Sequence, residues 1–95
     1  MPAYVLGDIR VTDPEQYEEY RALAGPSVAQ YGGRYLVRGG GSEVIEGDHV
    51  PGRLVVLEFD DTDAAHRWYD SEEYRVARAT RENAAVVSLI FVDGA

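Results

Sequence analysis

The sequence predicts a single α+β domain of the split βαβ (ferredoxin-like) class, with a four-stranded antiparallel sheet and helices on one face. Three observations predict this fold. Four segments alternate apolar and polar residues, the intervening segments repeat apolar residues at three- and four-residue steps, and the segments follow the order β-α-β-β-α-β. The 95 residues suit one domain, 1–95, and no linker or internal repeat divides them.

The first strand and helix have clear signals. Residues 3–11 alternate as a strand, with Val5 and Ile9 on the face that should meet the helices. Asp13 is suited to cap a helix that begins at Pro14, because its side chain can accept a free backbone N–H and proline is favoured in the first turn. The apolar face of that helix consists of Tyr17, Tyr20, Ala24, Val28 and Tyr31.

The middle of the chain predicts two strands. Residues 34–38 form the second strand, and the glycines at 39–41 should bulge it before residues 43–46 continue it. Residues 47–52, which include Pro51, predict a hairpin loop. Residues 53–59 are the third strand.

The last third predicts a helical segment in two pieces and a final strand. Thr62 should cap a short helix that ends at Tyr69. Ser71 caps the next helix, whose first turn carries two acids and which should run to about Glu82. Residues 85–92 alternate as the fourth strand.

The sheet face away from the helices, called here the open face, combines two kinds of residue. It is predicted to carry many apolar side chains, and four polar ones set among them. A patch that large marks an interface, and a monomer core would not bury four polar groups. We therefore expect a homodimer joined through the open face. Its predicted apolar residues are Leu6, Leu36, Leu54, Val56, Val86 and Ile90, and its polar residues are Asp8, Arg38, Glu58 and Ser88.

Composition excludes several functions. The chain has no cysteine, so disulfides, thiolate metal sites and cysteine nucleophiles are absent. All nine basic residues are arginine, which excludes Schiff-base lysines and Walker-type phosphate lysines. The net charge of −8 disfavours nucleic acid as a partner. No leader or membrane-spanning stretch is expected, and we predict a cytoplasmic protein.

Several motifs together resemble the domain-of-unknown-function family 1330. The strings are Asp13-Pro14-Glu15 with Tyr17 and Tyr20, residues 31–40 (YGGRYLVRGG), Glu46-Gly47-Asp48, residues 51–53, Glu58-Phe59, Ala65, Trp68-Tyr69, Ser71, Glu73-Tyr74 and Arg81. The resemblance covers nearly the whole chain. It implies a dimeric α+β barrel in which two sheets face each other across a two-fold axis.

The wider superfamily implied by this resemblance contains cofactor-free monooxygenases, haem-degrading enzymes, lactone isomerases and dehalogenating or decarboxylating relatives. None of these roles transfers by fold alone. The family itself has no settled reaction to carry over.

Arg38 and Glu58 are the first candidate pair. In the functional interpretation Arg38 holds a substrate carboxylate or carbonyl and Glu58 acts as a general base, with Asp8 as a further candidate base. In the structural interpretation, which we favour by about two to one, Arg38 and Glu58 form a buried ion pair that fixes the dimer register.

Aromatic residues are the second candidate group. Trp68 and Tyr74, with Tyr17 on the first helix, could line a substrate pocket between helices and sheet, although aromatic residues at helical spacing more often form the core. His49 and His66 are the only histidines, and nothing places a third ligand near them, so no metal or cofactor site is expected.

Three functions remain open. The first is a cofactor-independent enzyme that acts on a small organic or aromatic acid by proton transfer or oxygenation. The second is a non-catalytic module that binds a small metabolite, and the third is a dimeric accessory protein. We rank them in that order, because polar residues that converge on an apolar cavity are typical of small-molecule sites.

Overall fold

The computed structural model describes residues 1–95 and contains four strands and three helices. The order confirms the predicted ferredoxin-like arrangement, with the second helical segment divided in two. The elements are β1 (Ala3–Val11), α1 (Pro14–Gln30), β2 (Arg34–Arg38), β3 (Arg53–Phe59), α2 (Thr62–Tyr69), α3 (Glu72–Thr80) and β4 (Ala85–Asp93).

The four strands form one antiparallel sheet in the order β2-β3-β1-β4. The central strand β1 pairs with β3 and β4, so β2 and β4 are the two edges. The molecule measures 34 × 32 × 16 Å. A thickness of 16 Å accommodates one sheet and one layer of helices, and the second sheet face therefore has no cover within the protomer.

The core lies between the helices and one sheet face. Alternate residues of β1 and β3, such as Val5 and Phe59, are fully buried there. They pack against Trp68 of α2 and Tyr74 of α3, which are 2% and 0% exposed. Burial of side chains this large contributes on the order of 2–3 kcal/mol each, which makes this the stabilising layer of the domain.

Two of the predicted helix caps are confirmed. The Asp13 carboxylate accepts the Gln16 N–H at 3.3 Å at the start of α1. The Ser71 hydroxyl oxygen accepts the Tyr74 N–H at 3.1 Å at the start of α3. Both side chains satisfy a backbone donor that has no partner inside the helix.

The cap of α2 differs from the prediction. Asp61, one residue earlier than expected, accepts the Ala64 N–H at 2.8 Å. The Thr62 hydroxyl instead donates to the Asp93 carboxylate at the end of β4, at 2.6 Å. An aspartate with extended backbone is at least as good a cap as threonine, which frees Thr62 for this tertiary contact.

The predicted strand at residues 43–46 is wrong. Residues 39–52 connect β2 to β3 without regular structure, and residues 43–46 are exposed. Gly39 has a φ of +71° and donates its N–H to the Leu54 carbonyl at 2.8 Å, which turns the chain out of the sheet. Three consecutive glycines also make an extended strand entropically costly.

The open face carries the apolar residues predicted for β1, β3 and β4. Leu6, Val86 and Ile90 lie on it and are 36%, 64% and 60% exposed. The polar residues Asp8 and Ser88 lie on the same face, directly opposite each other on β1 and β4.

None of the helices is long and apolar enough to cross a membrane.

Candidate functional site

A bulge in β2 decides which arginine faces the helices. Arg34 lies opposite Glu58, but the register shifts between Tyr35 and Val37, and Arg38 then lies opposite Val55. Val55 points to the helices, and so does Arg38. The prediction that Arg38 lies on the open face beside Glu58 is therefore wrong, because it assumed unbroken alternation along β2.

The Arg38 side chain lies on the helix-facing side of the sheet, at the β2 edge, where it remains exposed to solvent. Its central carbon lies 4.2 Å from the centre of the Tyr35 ring, a cation–π distance. A Cβ placed on Gly25 of α1 would lie 3.0 Å from Arg38 Nη2. A glycine at this point of the helix therefore leaves room for the guanidinium.

Glu58 pairs with a different arginine from the one predicted. Arg34 Nη2 lies 2.5 Å from the Glu58 carboxylate, whose side chain is 16% exposed. Hydrogen bonding to Glu58, and its negative charge, raise the pKa of Tyr4. Glu58 thus has two partners on the open face and no contact with Arg38.

Asp8 also has partners on the open side of the sheet. Its carboxylate accepts the Gly52 N–H at 2.8 Å and lies 2.8 Å from His49 Nε2. The hydrogen bonds from His49 and Gly52 lower the pKa of Asp8. Asp8 therefore fastens the β2–β3 connection to β1. A catalytic role for Asp8 or Glu58 stays a prediction.

A pocket lies between the helices and the covered sheet face. Sixteen residues line it: twelve are apolar or aromatic, and the other four are Arg21, Arg38, Arg53 and Arg81. No carboxylate is among them. The cavity has a volume of about 30 Å³. A ligand larger than a few waters must therefore displace flexible side chains.

Three of these arginines form no ion pair with a carboxylate, namely Arg38, Arg53 and Arg81. Arg21 pairs with Glu18 at 2.9 Å. The Nε atom of Arg53 is buried and has no hydrogen-bond partner, which leaves a donor that an anion could satisfy. A chain of net charge −8 thus has a pocket whose lining charges are all positive.

Phenols occupy the end of the pocket near α3. The Tyr20 and Tyr74 hydroxyls are 2.8 Å apart, and Arg81 Nη1 donates to the Tyr74 oxygen at 2.8 Å. Burial raises the pKa of Tyr20. Gln16 donates to the Thr80 carbonyl at 2.8 Å and so holds the end of α3 from which Arg81 extends.

The predicted aromatic residues lie together on this pocket. Tyr17, Trp68 and Tyr74 line it with Arg38, whereas Glu58 and Asp8 lie on the opposite side of the sheet. The aromatic residues are also core: Trp68 donates from Nε1 to the Ser27 hydroxyl at 3.1 Å, and its ring centre lies 4.1 Å from that of Tyr74. Pocket lining and core are thus the same residues.

Sequence reasoning missed Arg53 and Arg81. Arg53 shares the parity of Val55 and Leu57 on β3, so alternation alone would have placed it on the helix side. Arg81 is the C-terminal cap residue of α3, where no periodicity marks it as a pocket residue. Its position depends on the packing of α3 against α1.

The family model described as Domain of unknown function (DUF1330) matches residues 2–95. The chain belongs to the DUF1330 family. This match confirms the predicted resemblance. No curated protein matches the chain in sequence.

Solved structures support the fold of this DUF1330 protein. A protein of unknown function from Rhodopseudomonas palustris superposes with a TM-score of 0.79 at 22% identity, over 99% of this chain and 82% of that one. SnoaB, a cofactor-independent oxygenase from Streptomyces nogalater, gives a TM-score of 0.67 at 13% identity, over 99% and 93%. A putative antibiotic biosynthesis monooxygenase from Nitrosomonas europaea gives 0.61 at 14%, over 99% and 98%.

The side chains offer no metal centre in this arrangement. No group of three or more His, Asp or Glu residues is close enough to hold an ion. The chemistry available at the pocket is that of guanidinium donors, phenol hydroxyls and aromatic faces. Such groups bind and orient an anion, and they stabilise negative charge that develops on it.

Proposed function

We propose that this DUF1330 protein binds a small aromatic or conjugated organic acid in the pocket between helices and sheet, and acts on it as a cofactor-independent enzyme of the oxygenation or proton-transfer class. The observation that carries the proposal is the set of arginines without carboxylate partners in an aromatic pocket. Guanidinium groups pair with carboxylates and enolates, and the aromatic walls suit a flat apolar body. The likeness to SnoaB, an oxygenase without a cofactor, agrees with this class.

The pocket arginines would act by charge. A substrate anion held by Arg38 and Arg53 is stabilised relative to its neutral acid, which lowers its pKa and favours the deprotonated form. Tyr20 and Tyr74, linked by a 2.8 Å hydrogen bond, supply hydroxyls beside the bound molecule. These are roles in binding and charge stabilisation that the geometry of the pocket can support.

A matched ligand pair tests binding. Benzoate and benzamide have nearly the same shape and differ in charge. Isothermal titration calorimetry of the wild-type protein should detect benzoate binding, with benzamide at least tenfold weaker, because only the carboxylate pairs with the guanidinium groups. Equal affinity for the two, or no binding of either, contradicts the proposal.

A second candidate function is a non-catalytic binding module. One observation favours it: the predicted bases Glu58 and Asp8 lie on the other side of the sheet, and no carboxylate lines the pocket. An oxygen electrode and product chromatography with hydroxylated aromatic acids distinguish the two. Oxygen uptake or product formation supports the enzyme, whereas ligand-dependent melting shifts without turnover support the module.

We further propose that the protein is a homodimer joined through the open face. Exposed Val86, Ile90 and Val37 form an apolar surface on this face that water contacts unfavourably, while Glu58 and Asp8 already have partners within the protomer and need none across the interface. Sedimentation velocity between about 1 and 100 µM should give a dimer over most of the range. A protomer at every concentration contradicts this assembly.

A further inference from the structure

All four strands of the sheet contribute side chains to the pocket lining. These side chains range from Tyr35 on the β2 edge to Val87 and Leu89 on the β4 edge. Three interstrand spacings separate the two edges, about 14 Å between the strand axes. A ligand in the pocket can therefore meet different groups at its two ends.

The β2 end carries two arginines. The Arg53 guanidinium lies against Gly39, where a Cβ would overlap it, and Arg53 Nη2 is 3.5 Å from the Arg38 carbonyl oxygen. Both guanidinium charges oppose the burial-induced rise in the pKa of Tyr35. Arg38 and Arg53 thus form one cationic group at this end.

The β4 end carries Arg81. This residue also borders a surface groove with Ala85 and Val87 on β4, which places it at the opposite edge of the sheet from Arg38. Arg81 is fixed there by its bond to the Tyr74 hydroxyl. Buried aromatic and aliphatic side chains such as Trp68 and Leu57 lie between the two ends, around a small cavity that a ligand must enlarge by displacing side chains.

We propose that the natural ligand is an aromatic or conjugated acid with acidic groups at both ends, one held by Arg38 and Arg53 and the other by Arg81 with Tyr74. This inference rests on the proposed function and extends it from one anionic group to two. It follows from cationic groups on β2 and β3 at one end of the pocket and beside β4 at the other, with apolar side chains between them.

Two isomers test the arrangement at equal charge. Terephthalate carries its carboxylates at opposite ends of the ring, and phthalate carries them on adjacent carbons. Calorimetry of the wild-type protein should find terephthalate bound about tenfold more tightly than phthalate, since only the para isomer reaches both ends. Equal affinity for the two isomers overturns the inference and leaves the proposed function standing.

Arg81→Gln locates the second contact. This variant should lose the preference for terephthalate while phthalate affinity stays within about twofold, and Arg81→Lys, which keeps the charge, should retain part of the preference. Arg67→Gln, on the exposed surface of α2, is the matched control and should bind both isomers as the wild type does. A terephthalate preference that survives Arg81→Gln overturns the assignment of Arg81. If benzoate and both phthalates fail to bind, the proposed function and this inference fail together.

Discussion

Arg34 and Arg38 lie four residues apart on β2, yet they face opposite sides of the sheet and meet opposite surroundings. Arg34 on the open face pairs with Glu58, whereas Arg38 on the covered face lies on an aromatic ring and has no carboxylate partner. The same contrast holds for the two faces as a whole. The carboxylates Glu58 and Asp8 on the open face are paired within the protomer, whereas the arginines of the pocket leave donors for a ligand.

This difference supports our two proposals, a dimer contact on the open face and ligand binding on the covered face. The open face combines exposed apolar side chains with carboxylates that already have partners, which suits contact with a second copy. The covered face combines a tight core with cationic groups that lack counter-charges. Four substitutions can break or sharpen this comparison, and they follow in order of expected effect.

Ile90→Asp should have the largest effect, on the dimer. Each copy loses about 1.5–3 kcal/mol of apolar burial and places a charge in the interface, so the proposed dimer loses about 3–6 kcal/mol and dimerisation should weaken about 10²- to 10⁴-fold. Sedimentation velocity measures the change. Val76→Asp, at a 48% exposed valine on α3, is the control and should leave the dimer intact. An unchanged dimer in Ile90→Asp would place the interface elsewhere.

Trp68→Ala should have the next largest effect, on folding. Trp68 is 2% exposed and packs on Phe59 and Tyr74, so the cavity should lower the free energy of unfolding by about 3–5 kcal/mol. Urea unfolding at one fixed protein concentration measures this loss. Trp68→Phe keeps most of the ring and removes the bond to Ser27, and should cost about 1–3 kcal/mol. A cost below about 1 kcal/mol for Trp68→Ala would contradict a core role.

Arg38→Gln should weaken benzoate binding about tenfold, because a charge-assisted hydrogen bond is lost. The matched control is Arg34→Gln on the same strand, which should leave benzoate affinity within about twofold. Calorimetry compares both variants with the wild type. Equal loss in the two variants would show that overall charge, rather than the side of the sheet, governs binding.

Asp8→Asn should have the smallest effect, and only when Asp8 is ionised. The pKa of Asp8 is lowered from its ordinary value of 3.8 by its bonds to His49 and Gly52. A group whose folded pKa is depressed contributes stability above its unfolded pKa, and this contribution is lost as the pH falls through the folded pKa. Urea unfolding should therefore show the wild type more stable than Asp8→Asn at pH 7, with the difference shrinking as the pH falls below 3.8. A gap that is constant with pH would contradict this account.

Sequence alternation predicted the faces of β1, β3 and β4 because each of these strands keeps an unbroken period of two. It also predicted the caps Asp13 and Ser71, since capping depends on a local side-chain bond. Alternation did not predict the side of the sheet on which Arg38 lies. Leu36 and Val37 are both apolar, so either can be the extra residue of a bulge, and nothing in the pattern shows that one exists.

The sequence by itself determined the fold class, the family and the apolar character of the open face, because these depend on periodicity and on strings of residues read along the chain. Only the tertiary structure decided which charges meet. The register shift in β2 separates Arg38 from Glu58, and the packing of α1, α3 and the sheet collects Arg38, Arg53 and Arg81 around one pocket. Contacts between residues distant in sequence depend on register and packing, which the alternation along a single strand does not encode.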